Sequence, residues 1–356
     1  MPKNLGSCGE MGSADEAIAF NEWELNQMDA KELLERYAAG ERDFRDVNLI
    51  GTNLEKANLA GADFSGGYFV GANLSRAILT GANLHLAFLH RTNLSFAKAN
   101  EAIVTDADLT KANLRGAYFV KSVLMGSQLS GAILTGVNLR LACLSGVNLC
   151  GADLRGINLR SANLVEANLN WANLQGARLS GALLRGASLN GVNLSEAYLN
   201  GVDLNSVELD GVNLSGAKLS GANLSLANLM ATNLSEAQMR IAFLFRANLQ
   251  AACLTHANLS QADLCEANLC KADLSFADLS KADLTGSFLH RANLNQADLS
   301  QVSLRDSSLC GANFNVAQVS GADLSGADLR GAYLEPSHWR EVSLADTKMP
   351  DGSVRD

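Results

Sequence analysis

From residue 44 to residue 344 a large apolar residue recurs at nearly every fifth position, through 61 pentapeptides without a shift of phase. Leu fills 51 of these positions, and Phe44, Phe64, Phe69, Phe119 and Phe314 fill five of the other ten. Two residues before each centre, 41 of 61 positions are Ala and most of the rest are Val, Ser or Thr. Two residues after it Gly accumulates, with 25 of the chain's 31 glycines in that place. A period of five matches neither the 3.6 residues of an α-helix nor the two of a flat strand. Locally, however, the small residue and the Leu two places later share one side, as in a strand, and the Asn or Asp between them points away. The last two residues must turn a corner, where Gly meets no steric penalty. Each pentapeptide therefore reads as one side of a coil. Four sides, about twenty residues, close it, with Leu and Ala inside and neighbouring coils hydrogen-bonded like parallel strands.

The repeated unit is a small residue, Asn or Asp, Leu or Phe, a polar residue, then often Gly, as in SGADLSGADLRGAYL at 320–334. On this motif the chain resembles the pentapeptide-repeat family over about 300 residues. The resemblance implies an all-β solenoid, a right-handed quadrilateral β-helix. With about 4.8 Å between coils, the repeats would make about fifteen coils and a rod roughly 70 Å long. The stretch MDAKELLERYAAGERDFRDVNLIGTNL and the closing MPDGS resemble cyanobacterial members.

One continuous repeat domain is expected over 42–346, with no internal linker. A rod end would expose apolar side chains and unpaired backbone, so residues 29–40 are read as a short capping helix. Asp29 is its N-cap, Leu33, Leu34 and Tyr37 lie on one face, and Gly40 stops it. Residues 1–28 are expected to be disordered or irregular. Pro336 and Trp339 interrupt the repeat, and the tail 347–356 is expected to fold over the last coil or fray. Within the array, SFAKANEAIVTDADL at 95–109 puts Ala99 and Val104 where Leu is usual. Phe119, one coil later in the column of Ala99, points to a small-for-large exchange between layers.

Apolar residues are 47% of the chain, charged residues 18% and aromatics 6%, so the core must be Leu and Ala with few aromatic anchors. The net charge of -9 argues against direct nucleic-acid binding. No stretch approaches the 18 apolar residues of a membrane span, and no secretion signal opens the chain. Seven cysteines without a CxxC pair fit a reducing cytoplasm.

Function must then lie on the outward side chains. The column centred on 59, 79 and 99 displays Lys98, Lys121, Arg140, Arg160, Arg178, Lys218 and Arg240, with Tyr118 and Tyr198 among them and Glu101 as its acid. The neighbouring column gathers Asp43, Asp46, Asp63, Asp106, Glu166, Asp203, Asp263, Glu266, Asp283, Asp306 and Asp323 against Arg45, Arg185, Arg246 and Arg305. The plain reading is that charge solvates a β-helix. The sharper one is a basic, partly aromatic stripe that docks an acidic protein partner. Cys270, His290 and Cys310 stack on successive coils, with Cys265 a corner away. They are candidate zinc ligands by type, though without a recognised spacing, and no metal or other cofactor is expected. Neither GxSxG, a P-loop nor HExxH occurs, so no enzyme is expected. Two classes remain: a regulatory interaction scaffold, and DNA mimicry toward a DNA-handling enzyme such as DNA gyrase, which the resemblance brings in and the acidic column keeps open. The basic column and the unbroken register argue against mimicry.

Overall fold

The structure, a computed structural model, describes residues 27–334 and 341–355. The chain divides into two compact units, Met1–Asn158 with Ala162–Ala172, and Leu159–Ser161 with Asn173–Asp356. The expectations for residues 1–26, Pro336 and Trp339 fall outside the described residues.

In the first unit the outward residue of each side bridges, in parallel, the residue twenty positions on. One such ladder runs Asn53, Asn73, Asn93, Asn113, Ile133 and Asp153. Four pentapeptides thus make one coil. The Leu54 N–H donates to the Asn73 carbonyl at 2.7 Å, and the Asn73 N–H donates to the Thr52 carbonyl at 2.9 Å. The second unit repeats this scheme, with Asn173, Asn193, Asn213 and Asn233 on one ladder. The Leu and Ala positions are almost uniformly buried in both units, which leaves no room for anything but side chains inside.

Asn is favoured at the outward position because it serves two neighbours at once. Its Oδ1 accepts from the backbone N–H two residues on, as Asn73 does from Ser75 at 3.1 Å. Its Nδ2 donates to Oδ1 of the Asn one coil back, as Asn93 does to Asn73 at 3.1 Å. Asp satisfies the first contact only, since a carboxylate has no N–H to give.

Each corner closes with a hydrogen bond from a small-position N–H to the Leu carbonyl three residues back, for example Ala57 to Leu54 at 3.1 Å. The second corner residue is held at positive φ, the geometry of a type II turn. It is often not glycine: Ile241 stands at φ 53° and Val316 at φ 56°.

At the start of the first unit, α1 spans Ala30–Ala38, with the Asp29 side chain accepting from the Glu32 N–H at 2.8 Å. Leu33 is fully buried and the Tyr37 hydroxyl donates to the Ala60 carbonyl at 2.8 Å. Leu34 instead reaches solvent at 37% exposure, so the buried face is narrower than its apolar residues suggest. Ahead of the helix, Gln27 already bridges Asn48. In the second unit, β1 (Thr347–Lys348) pairs on one edge with the coil at Asp328 and on the other with β2 (Val354–Arg355), which runs antiparallel to it. The tail therefore adds a strand to an edge that would otherwise be bare.

The core accommodates its irregular residues locally. Ala99 and Phe119 are both buried and their ladder is unbroken, with the Ala99 N–H donating to the Tyr118 carbonyl at 2.7 Å. Near Phe64 and Phe69, whose rings meet edge to face at 5.4 Å, the small position is Gly67. A Cβ there would lie 2.9 Å from the Phe64 carbonyl oxygen and 3.0 Å from the Phe69 ring. One joint in the second unit is looser. Arg178 bridges Tyr198 and Asn193 bridges Asn213, but among the described residues no bridge joins Leu183 to Asp203 or Ser188 to Glu208. Ala187 and Val207 are only half-buried there, and Leu183 is 57% exposed.

Two stability predictions follow from these contacts. Gly67→Ala overpacks the aromatic cluster and should cost about 1–3 kcal/mol in chemical denaturation, most of it recovered when Phe69→Leu is added; an unchanged midpoint for the single variant would contradict the packing account. The buried Ser287 hydroxyl has no partner among the described residues, whereas Thr232 Oγ1 donates to the Leu209 carbonyl at 2.7 Å. Ser287→Ala should therefore gain about 1 kcal/mol and Thr232→Val lose about as much, opposite signs that one denaturation series can check.

Candidate functional site

The outward positions of the ladder place the basic column. In the first unit Ile78, Lys98, Tyr118 and Asn138 bridge in succession, so Lys98 and Tyr118 stand on adjacent coils. The Lys121 N–H donates to the Arg140 carbonyl at 3.0 Å, which sets those two corner residues beside one another. Lys98, Lys121 and Arg140 are exposed, and Tyr118 is 48% exposed. In the second unit Arg178, Tyr198 and Lys218 bridge in succession. The Leu159 N–H donates to the Arg178 carbonyl at 2.8 Å, placing Arg160 at the corner next to that ladder, and the Gly221 N–H donates to the Arg240 carbonyl at 3.0 Å. Each unit thus gathers its own group of these residues.

Electrostatics distinguish these residues from many other arginines. Arg45, Arg155 and Arg330 fold back on Asp43, Asp153 and Asp328 two residues away, at 2.6, 2.6 and 2.7 Å. The Arg330 guanidinium holds the Asp328 carboxyl well below the usual carboxylate range. Arg246 pairs with Glu266 at 2.6 Å and Arg305 with Asp323 at 3.5 Å. Among the described residues, Lys98, Lys121, Arg140, Arg178, Lys218 and Arg240 form no such ion pair.

The cysteine column does not converge. Cys270 Sγ lies 3.9 Å from His290 Nδ1, but His290 turns Nε2 to Ser308 Oγ at 3.2 Å. Cys310 Sγ donates to the Asp328 carbonyl at 3.9 Å. A zinc ion needs its ligands about 2.0–2.3 Å from one point, and no group of three or more His, Cys, Asp and Glu side chains among the described residues offers that. Cys265 sits between Asp263 and Asp283; burial, then hydrogen bonds to those carboxylates, push its thiol up to about 12. No helix among the described residues is long and apolar enough to cross a membrane.

Sorting by charge missed an apolar strip in the first unit, where Ile103 and Val123 bridge beside Leu86 and Met125. Leu86 is 52% exposed, Ile103 43% and Met125 45%. Sorting the outward positions by hydropathy would have found it. Tyr68 and Phe88 likewise stack on adjacent coils, with ring centroids 4.9 Å apart.

Comparison with known proteins agrees with the repeat. The family model for pentapeptide repeats (8 copies) matches residues 43–81, 57–95, 67–106, 102–140, 142–181, 167–206, 177–216, 208–244, 244–286 and 289–326. No curated protein matches the chain. Similar solved structures include HetL, a pentapeptide repeat protein involved in heterocyst differentiation regulation from the cyanobacterium Nostoc sp. strain PCC 7120. It is 30% identical over 92% of this chain and 100% of its own, with a TM-score of 0.17. QnrB1, a plasmid-mediated fluoroquinolone resistance protein, is 18% identical over 56% of this chain and 92% of its own, with a TM-score of 0.39. A pentapeptide repeat protein of the Arabidopsis thaliana thylakoid lumen is 27% identical over 37% and 71%, with a TM-score of 0.15. With its five-residue phase, its twenty-residue ladders and the family match along most of its length, the chain belongs to the pentapeptide-repeat family.

Proposed function

We propose that this protein works without catalysis, as a cytoplasmic interaction scaffold whose basic and aromatic outward residues dock an acidic protein. In this reading about fifteen coils carry the surface and α1 covers the first of them. The observation that carries the reading is the set of cations, the exposed Lys98, Lys121 and Arg140 on one unit and the exposed Arg178 and Arg240 with the half-buried Lys218 on the other, that have no carboxylate partner among the described residues while other arginines have one. A cation already paired must give up its partner to bind another, so unpaired cations favour an acidic surface at lower cost. Tyr118 and Tyr198 supply rigid contact area beside them. The net charge of -9 makes the attraction local, since the chain as a whole repels an acidic partner.

DNA mimicry toward a DNA-handling enzyme such as DNA gyrase is the second reading, favoured by the carboxylates of Asp263, Asp283 and Asp323 on one ladder of the second unit. Arg246 and Arg305 pair with Glu266 and Asp323 on that same side and cancel part of its charge.

The test is combined charge reversal, Arg140→Glu, Arg160→Glu and Arg178→Glu. Partner capture from cell extract should fall about tenfold or more, and capture by the native chain should weaken steeply with added salt. Unchanged capture by the variant would remove the docking reading. Inhibition of gyrase supercoiling by the native chain would favour mimicry instead.

A further inference from the structure

The second unit places two cysteines five residues apart, at equivalent corner positions and in opposite surroundings. Cys265 is kept protonated by its burial first and then by the carboxylates that flank it. Cys270 has Asn268 and Phe288 at the neighbouring ladder positions, and neither bears charge. Its Sγ lies 3.9 Å from His290 Nδ1 and 3.9 Å from the Phe288 carbonyl oxygen. On the far side of the imidazole, Ser308 Oγ is 3.2 Å from Nε2. When Nε2 carries its proton and donates to that hydroxyl, Nδ1 presents a lone pair to the thiol. Nucleophile, base and orienting group then follow one another across three coils. Lys271 and Arg291 are the second residues of the corners that carry Cys270 and His290.

We propose that Cys270 is a site of reversible oxidation by hydroperoxides, followed by capping with a low-molecular-weight thiol. Nδ1 of His290 takes the Sγ proton, and the thiolate attacks one oxygen of hydrogen peroxide. The S–O bond forms as the O–O bond breaks, and the departing hydroxide takes the proton from His290 to leave as water. Sulfur loses two electrons to become a sulfenic acid, and the peroxide gains them. A thiol of the glutathione class then attacks the sulfur, forming a mixed disulfide and releasing water. Cys310 cannot take that role, because two coil spacings separate it from Cys270 by about 9.6 Å, beyond disulfide reach. This mark lies on a different ladder from the basic stripe, so it stands or falls independently of the docking reading.

The full chain would be treated with hydrogen peroxide and the sulfenic-acid trap dimedone, cleaved at Glu266 to separate the two thiols, and quantified by mass spectrometry. Cys270 should be labelled about tenfold or more over Cys265, and His290→Gln should bring Cys270 down while leaving Cys253 unchanged. Should that variant lose its β-helical circular dichroism, Ser308→Ala takes its place and should also lower Cys270 labelling. Equal labelling of Cys270 and Cys265, or labelling indifferent to the imidazole and its orienting hydroxyl, overturns the proposal.

Discussion

Each described corner of both units turns on a residue held in the left-handed region, and the rest of the structure depends on that constraint. If one corner were extended instead, the next side would leave the coil and its Leu would face water. Gly takes this conformation freely, yet Trp171, Ile241 and Val316 take it too. For a non-glycine residue the cost is on the order of 1–2 kcal/mol. It is tolerable because the same corner fixes a buried Leu, worth about 2 kcal/mol, together with ladder hydrogen bonds on both sides. Since Gly is not obligatory, the corner is free to carry chemistry. Lys121, His256 and Lys271 all project from it.

The ladder imposes the second constraint. Residues twenty apart become neighbours, so a column in the sequence is a row in space. That is why the placement of Lys98 beside Tyr118, and of Arg178 beside Tyr198 and Lys218, was legible by counting. The inward pattern was legible for the same reason, because one side of each pentapeptide has nowhere to go but the core. Counting does not tell which way a long side chain leans. Arg155 bends back to Asp153 at 2.6 Å, while Arg140 finds no carboxylate among the described residues, and both are arginines at the first corner position. The difference comes from the ladder residue two places earlier, Asp153 in one case and Asn138 in the other. Asn138 offers its Oδ1 to the Arg140 N–H at 3.2 Å but has no charge to hold the guanidinium. Pairing was therefore written in the sequence as Asp-x-Arg, although sorting by column alone passed over it. The cysteine column failed for a related reason. Stacking brought Cys270 and His290 within reach of one another, but the ring could serve only one neighbour with each nitrogen, and Ser308 took the second.

Leu34 shows a different limit. Helical periodicity groups it with Leu33 and Tyr37, but the surface α1 meets admits only Leu33 fully and the Tyr37 ring in part. An amphipathic pattern gives the side of a helix that turns inward, and the width of the contact is set by the coil beneath it. Gly67 is the complementary case, a Gly at a position where Ala is the rule. Its reason is visible only once Phe64 and Phe69 are seen closing on the same volume.

The loose joint in the second unit tests how much of the ladder is held by side chains. At Asp203 and Glu208 the outward residue cannot donate back to the previous coil, so the side-chain rivet that Asn provides is missing there. That lack is not sufficient, because Asp283 still bridges Asp263 without such a donor. Nor is an apolar residue behind sufficient, because Ile133 bridges Asp153 and Ile103 bridges Val123; the joint is set apart by Leu183, whose side chain is 57% exposed. Among the described residues no backbone bridge closes either pair, and Ala187 and Val207 lose part of their burial. In a repeat structure, where stability is a sum of nearest-neighbour contacts, the weakest interface opens first. The second unit therefore carries a preferred place for local opening that its uninterrupted five-residue rhythm conceals.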